Sequence, residues 1–350
     1  MVTGVRQIHS AEDMEALGAE LSLLARPGQV IYLVGELGAG KSVLARGFIR
    51  ALAGDAPIEV PSPTFTLVQA YNETRIPVAH ADLYRLTSAS ELAELGLEDL
   101  ARDHILIVEW PDRIPGWAPA DLMLISISGS GHSRNVTLEA HGTAAASLSR
   151  NDAIRAFLAG TDCEAARRIF LEGDASFRRY EALERADGTR AILMDMPARP
   201  DGPPVKDGKP YSAIAHLAED IRAVIAINGV LAARGYSAPR VEAYDLAKGF
   251  AVMEDLGRNV YGRMIAKGQD VTEPMREAVA VLADMAGQDW PSQVPLDGQV
   301  YHVAPYDLGA QMIEVDLLPS WFWPHLNGSA IPADALADFN AQWAELLPLT

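Results

Sequence analysis

The chain has 350 residues, 49% of them hydrophobic and 22% charged, with a formal net charge of −18. That length suits two domains rather than one, each large enough to bury its own core. No apolar run approaches the roughly 18 residues needed to span a bilayer, and the opening MVTGVRQIHSAEDMEALG lacks the basic and apolar regions of a secretory signal, so a soluble cytoplasmic protein without membrane contact is expected. Residues 1–150 hold 11 Lys+Arg against 18 Asp+Glu, giving −7 and leaving −11 for the rest. Neither half reads as a nucleic-acid binder by itself. Cys163 is the only cysteine, which excludes an intramolecular disulfide and a cysteine-built metal site.

In chain order, Ser10-Ala-Glu-Asp13 has a capping-box pattern ahead of Met14, Leu17, Leu21 and Leu24, whose spacing predicts an amphipathic helix ended by Pro27-Gly28. Val30 to Val34 reads as a strand, then comes a glycine-rich loop, and VLARGFIRAL has helical spacing. Strands are predicted at Ile76 to His80, Ile105 to Val108, Leu122 to Ser128 and Asn135 to Ala140, with TSASELAELGLEDLARD as a helical insertion. GTAAASLSR, residues 142–150, is small and polar and reads as a linker. The expected division is therefore 1–150 for an α/β domain and its linker, with a central β-sheet flanked by helices, and 151–350 for an α+β region. In the latter, FRRYEALER and RAILMDM are strand-like around the hairpin signal Ala186-Asp187-Gly188-Thr189. PARPDGPPVKDGKP is loop-like, and helical periodicity dominates from Ala213 apart from VEAYD and GFAVMED.

Gly35-Glu36-Leu37-Gly38-Ala39-Gly40-Lys41-Ser42 matches GxxxxGK[ST] between a predicted strand and a predicted helix, the context that the phosphate loop requires. Backbone N–H groups and the helix N-terminus would hold phosphate oxygens, Lys41 would reach the β and γ phosphates, and Ser42 would ligate Mg²⁺. A metal-side carboxylate is also needed. Glu109, emerging from the ILIV run at the sheet's carboxyl edge, is the first candidate; Asp82 in VAHADLY is the second, with a capping or ion-paired aspartate as the alternative. The sequence has neither the NKxD box of guanine-specific proteins nor an LSGGQ signature, so ATP is the expected nucleotide. In VPSPTFTLVQAY, Pro61 and Pro63 forbid a central strand and stiffen a loop that would present Thr64 as a phosphate sensor; the alternative is a plain stiff connection.

GELGAGKSVL, SPTFTLVQAY, HADLYRL, ELGLEDL and VEWPDR occur in this order, and across about residues 5–142 the chain resembles the TsaE (YjeE) family. Its members are P-loop ATPases needed for threonylcarbamoyladenosine at position 37 of tRNAs that read ANN codons. The resemblance implies that Glu36 to Ser42 bind ATP, that Ser42 and Glu109 hold Mg²⁺, and that Thr64, Asp82 and Trp110 belong to the active constellation. Arg134 matches a nucleotide-contacting position, and Ser42 stands where threonine is more usual, keeping the hydroxyl. It further implies partnership with TsaD and TsaB, with tRNA reached only through that complex.

GDASFRRYEAL, ILMDMP and GFAVMEDLG, from about 165 onward, are similar to the small lobe of aminoglycoside-phosphotransferase-like kinases, especially amino-sugar kinases acting on N-acetylmuramate or N-acetylglucosamine. The resemblance implies that Gly173, Ser176 and the arginines form a loop over ATP phosphates and that VMEDL is an adenine-contacting hinge. No HxDxxxxN box follows residue 150: His216, His302 and His325 lead HLA, HVA and HLN, and Asp255-Leu-Gly257 and Asp307-Leu-Gly309 imitate a metal triplet without a catalytic loop ahead. The expectation is a truncated kinase lobe that phosphorylates no sugar. The alternatives are a working small-molecule kinase, or a docking or regulatory module attached to the ATPase.

Overall fold

A computed structural model describes residues 1–86, 91, 94–113, 116–117, 119–129, 131, 133–173, 178–218 and 220–347. The chain divides into two compact units, one comprising Met1–Leu171 with Glu181–Arg190, the other Glu172–Tyr180 with Ala191–Thr350. None of the described helices is long and apolar enough to cross a membrane.

The first unit is built on a seven-stranded sheet of β1 (Val2–Ile8), β2 (Val30–Val34), β3 (Val68–Tyr71), β4 (Val78–Asp82), β5 (Ile105–Glu109), β6 (Leu122–Ser128) and β7 (Arg134–Ala140), in the order β1-β7-β6-β2-β5-β4-β3. Strands β6, β2, β5 and β4 are parallel, while β3, β7 and β1 pair antiparallel outside them. Buried on both faces, the parallel strands need unbroken apolar runs, which VIYLV and ILIVE supply. Among the described residues, four α-helices accompany the sheet: α1 (Ala11–Ser22), α2 (Lys41–Ala53), α3 (Leu97–Asp103) and α4 (Gly142–Leu158).

Ser10 caps α1 by accepting from the Asp13 N–H at 3.0 Å, and Asp13 accepts from the His9 N–H at 3.1 Å, so the capping signal is realised with its return bond one residue early. Helix α1 crosses α2 at two glycines. A Cβ on Gly18 would meet the Leu44 carbonyl oxygen at 2.2 Å, and one on Gly47 would meet that of Glu15 at 2.1 Å. Only glycine permits so close a backbone approach. Leu17, Leu21, Leu44, Phe48 and Ile49 then close over Ile31, Leu33 and Ile107 in one core layer, and Tyr32, Ala79, Ala81, Leu106 and Val108 form the other face.

Several elements differ from the sequence reading. The strand expected at 76–80 runs Val78–Asp82, which makes Asp82 the last residue of the strand. Strands β1 and β8 (Arg167–Leu171) were not foreseen. Of the helix read across 87–103, Leu97–Asp103 is helical; residues 87–90 and 92–93 lie outside the described residues. The supposed linker 142–150 is the first half of α4, whose buried Ala144, Ser147, Leu148, Asn151, Ile154 and Leu158 recur at helical spacing.

A second sheet adds β9 (Arg179–Glu184), β10 (Arg190–Asp195), β13 (Val241–Asp245) and β14 (Phe250–Glu254) to β8, in the order β13-β14-β10-β9-β8. The turn after β9 is the expected hairpin: Gly188 has φ 82° and the Arg185 N–H donates to the Thr189 carbonyl at 2.9 Å. The loop-like 197–210 contains a short ribbon, β11 (Pro204–Lys206) with β12 (Lys209–Pro210), and β15 (Gln293–Leu296) pairs with β16 (Gln299–His302). The described helices here are α5 (Tyr211–Ala215), α6 (Ile221–Ala233), α7 (Tyr261–Ala266), α8 (Thr272–Ala286), α9 (Leu308–Val315), α10 (Trp323–Asn327) and α11 (Ala333–Leu346). Met194, Met196, Ile221, Ile225, Ala251 and Met253 form one buried cluster of the second unit.

Candidate active site

The loop 35–40 connects the carboxyl end of β2 to α2, the position where open α/β sheets bind ligands. Gly40 caps α2 with φ 110°, a left-handed conformation that suits glycine and turns the chain into the helix. Lys41, 4% exposed, donates from Nζ to the carbonyls of Gly35 at 2.8 Å and Glu36 at 2.9 Å. Burial pushes its ammonium below the usual lysine value, while the carboxylates of Glu109, Asp82 and Asp112 act in the opposite direction.

Register brings the two acidic candidates side by side. Asp82 and Glu109 are direct partners on β4 and β5, and Glu109 is also opposite Leu33 of β2. Both are buried. Asp82 Oδ2 accepts from Ser62 Oγ at 3.1 Å and Thr64 Oγ1 at 2.9 Å, and Oδ1 accepts from the Tyr84 N–H at 3.1 Å. The proline loop is thus pinned at its hydroxyls by Asp82, and at its end the Leu67 N–H donates to Pro63 O at 2.7 Å with Leu67 at φ 63°. Glu109 Oε1 lies 3.0 Å from His80 Nε2.

Trp110 follows Glu109 with φ 60°, a conformation that costs a bulky residue strain. Its ring packs against Tyr84, with centroids 5.0 Å apart, and lies 3.9 Å from Lys41 Nζ, an arrangement that stabilises the ammonium over the ring face.

Lys41, Ser42, Thr64, Asp82, Glu109 and Trp110 line one cavity of about 230 Å³ together with Leu37 to Gly40. Gly35 to Ala39, Trp110 and Arg134 line an adjoining cavity of about 690 Å³, whose wall includes Ser128 and Asp112. There the Arg134 guanidinium donates to the Gly131 and Ser133 carbonyls. Gly35 to Ser42, Thr64, Asp82, Glu109, Trp110 and Arg134 therefore each border one of two neighbouring cavities, whereas Pro61 and Pro63 border neither. Sequence reasoning missed Tyr84, Asp112 and His80. The first and last stand inside the quoted HADLYRL, but only the fold shows what they touch.

The oxygen donors lining the smaller cavity include the hydroxyls of Ser42, Ser62 and Thr64 and the carboxylates of Asp82 and Glu109, hard ligands of the kind Mg²⁺ prefers. Among the described residues no cluster of three or more His, Cys, Asp or Glu gathers to hold a metal. The set fits an ion that takes one or two protein oxygens and completes its shell with phosphate and water.

In the second region Ser176 lies outside the described residues. Val252 to Glu254 are in β14, and Asp255 Oδ1 accepts from the Gly257 N–H at 2.8 Å. Asp307 of the second DLG caps α9 by accepting from the Ala310 N–H, and its other oxygen is 3.2 Å from His216 Nε2.

A mixed sheet with a parallel centre and a glycine loop leading into a buried-lysine helix defines a P-loop nucleotide-binding domain. Residues 8–136 match the family described as threonylcarbamoyl adenosine biosynthesis protein TsaE, and residues 168–348 match the phosphotransferase enzyme family. The TsaE protein of Bacillus subtilis is 36% identical over 133 residues, 37% of this chain and 82% of that protein. The TsaE protein of Rickettsia conorii is 35% identical over 107 residues, 31% of this chain and 61% of it. An N-acetylmuramate/N-acetylglucosamine kinase of Caulobacter vibrioides is 34% identical over 208 residues, 57% of either chain. The chain thus spans about three fifths of the length of the last two relatives. It belongs to the TsaE family in its first part and to the phosphotransferase enzyme family in its second.

Proposed function

We propose that the first part is a Mg²⁺-dependent ATPase serving threonylcarbamoyladenosine formation at position 37 of ANN-decoding tRNAs, in company with TsaD and TsaB. The observation that carries this reading is the convergence of Lys41, Ser42, Thr64, Asp82, Glu109 and Trp110 on one cavity at the carboxyl ends of β2, β4 and β5. Bound Mg²⁺ would neutralise charge developing on the transferred phosphoryl group, and Ser42 and Glu109 are the residues assigned to hold it. Lys41 would leave the loop carbonyls for the phosphates, retaining its place by the Trp110 ring. Thr64, held by Asp82, is positioned to report whether a γ phosphate is present. Names of TsaE relatives supply the tRNA pathway, and the −7 charge of residues 1–150 suits a module that leaves tRNA contact to partners. In this reading residues 1–150 carry the ATPase and 151–350 the kinase-like region. The test is Lys41→Ala: ATP turnover falls by about a hundredfold or more, as when one preorganised charge donor is removed from a transition state, while circular dichroism keeps the wild-type form. A folded variant that hydrolyses ATP normally removes the proposed site.

The kinase family match favours a second reading of residues 151–350, as a sugar kinase. We infer instead that this 350-residue chain does not phosphorylate amino sugars, because in-line transfer needs the aspartate and asparagine of an HxDxxxxN box and the sequence has none after residue 150. Mass spectrometry after incubation of the Lys41→Ala chain with Mg²⁺-ATP and N-acetylmuramate or N-acetylglucosamine decides it. Sugar phosphate formed at an ordinary kinase rate would mean that catalytic residues stand elsewhere in the sequence.

A further inference from the structure

His80 lies in the middle of β4 and is 0% exposed. It pairs in parallel register with Ile107, two residues before Glu109, just as it stands two residues before Asp82. Alternation along the pleat therefore puts His80, Asp82 and Glu109 on one face of the sheet, with His80 one step further from the strands' carboxyl ends. Its Nε2 is 3.0 Å from Glu109 Oε1, whereas Nδ1 is buried with no hydrogen-bond partner among the described residues. Against an ionised carboxylate, which only accepts, Nε2 would carry the hydrogen and the ring would be the donor. The arrangement sets one ring nitrogen against the carboxylate. Glu109 lines the smaller cavity and His80 does not, so any contribution of the imidazole passes through Glu109.

We propose that His80 is a positioning residue for Glu109, fixing one carboxylate oxygen so that the group is presented to Mg²⁺ in a single orientation. This rests on the reading of the cavity as a Mg²⁺-ATP site. Hydrogen bonds to ligating carboxylates ordinarily sustain metal affinity or activity by about 10- to 100-fold. His80→Leu removes the donor, and His80→Gln returns an amide N–H near the place of Nε2.

The experiment measures Mg²⁺ affinity by calorimetry on the full chain carrying a non-hydrolysable ATP analogue, beside analogue binding without metal and ATP turnover. For His80→Leu the expected results are Mg²⁺ affinity lower by about 10- to 100-fold, metal-free analogue binding unchanged within about twofold, and substantial recovery in His80→Gln. A folded His80→Leu with wild-type Mg²⁺ affinity overturns the proposal, as does a His80→Gln no better than His80→Leu. Should His80→Leu fail to fold, ¹⁵N spectra of the imidazoles in the metal-free wild-type chain decide. The signal lost in His80→Gln must show a protonated Nε2 and a bare Nδ1 and must move in Glu109→Gln; the opposite tautomer, or no movement, refutes the idea. Lys41→Ala separates the two levels. If it remains active the ATPase reading itself fails; if it is inactive while His80 variants behave as wild type, only the role of His80 falls.

Discussion

Helices α2 and α8 carry comparable apolar stripes and end in different surroundings. In α2, Leu44, Ala45, Phe48, Ile49 and Leu52 are all buried, and even Lys41 at its start is drawn inside. In α8, Met275, Val279 and Leu282 follow the same i, i+4, i+7 spacing but remain 46%, 64% and 63% exposed, and no residue of the helix is buried. Periodicity states which face of a helix is apolar; it does not state that anything covers that face. The two regions therefore differ in how far a local pattern has been converted into packing, which is where most helical stability originates.

The largest effect that tests this contrast is expected at Gly47. Gly47→Ala would drive a methyl group to 2.1 Å from the Glu15 carbonyl oxygen, and forcing the backbones apart costs about 1–3 kcal/mol or more. Urea unfolding would register it as a lower midpoint at unchanged slope. A neutral result would mean that the α1/α2 crossing is looser than its geometry.

Tyr32 tests the sheet's other face. Its hydroxyl donates to the Trp117 carbonyl at 3.0 Å, and burial pushes its phenol from 10.0 up to about 12. Tyr32→Phe is expected to lower stability by about 1 kcal/mol, one ordinary hydrogen bond. The raised value fixes the sign with pH: the contribution is complete below the unfolded value near 10.0 and disappears as pH climbs through about 12. Stability curves of the wild type and Tyr32→Phe should therefore converge over that interval. Parallel curves would place the shift elsewhere.

The smallest effect is predicted on α8. Val279→Ser changes an exposed side chain between residues of similar helix propensity and should alter stability by no more than about 0.5 kcal/mol. A loss well above that would show the stripe to be covered in solution, and the contrast with α2 would close.

Much of the first unit was legible because its signals reinforce one another. VIYLV, the glycine loop and VLARGFIRAL each specify the next step, and strand, turn and helix follow from local chemistry. Strand β1 escaped because VTGVRQI buries only Gly4 and Ile8, leaving little apolar pattern to read at an outer strand. The start of α4 escaped for the opposite reason. Its alanines and serines look like a linker by composition, although Ala144, Leu148, Asn151 and Ile154 keep helical time. Lys41, Ser42, Glu109, Asp82 and Thr64 were named from residue chemistry and Trp110 and Arg134 from the family resemblance, but the contacts among them were not legible. That Asp82 grips Ser62 and Thr64, that Glu109 meets His80 and that Trp110 is held at positive φ depend on register between strands far apart in sequence.

Helix α4 has a practical consequence for anyone who divides this protein. Asn151 and Arg155, both in its second half, donate to Glu20 on α1 at 2.7 and 2.6 Å, and Asn151 Oδ1 in turn accepts from Arg168, which grips Glu181 with two nitrogens. A gene cut at codon 150 would end its product in mid-helix, strip Glu20 of those donors and lay Leu148 open to water. The boundary between two family regions in one chain is usually sought where composition turns bland, and here the bland stretch is a helix inside the first unit.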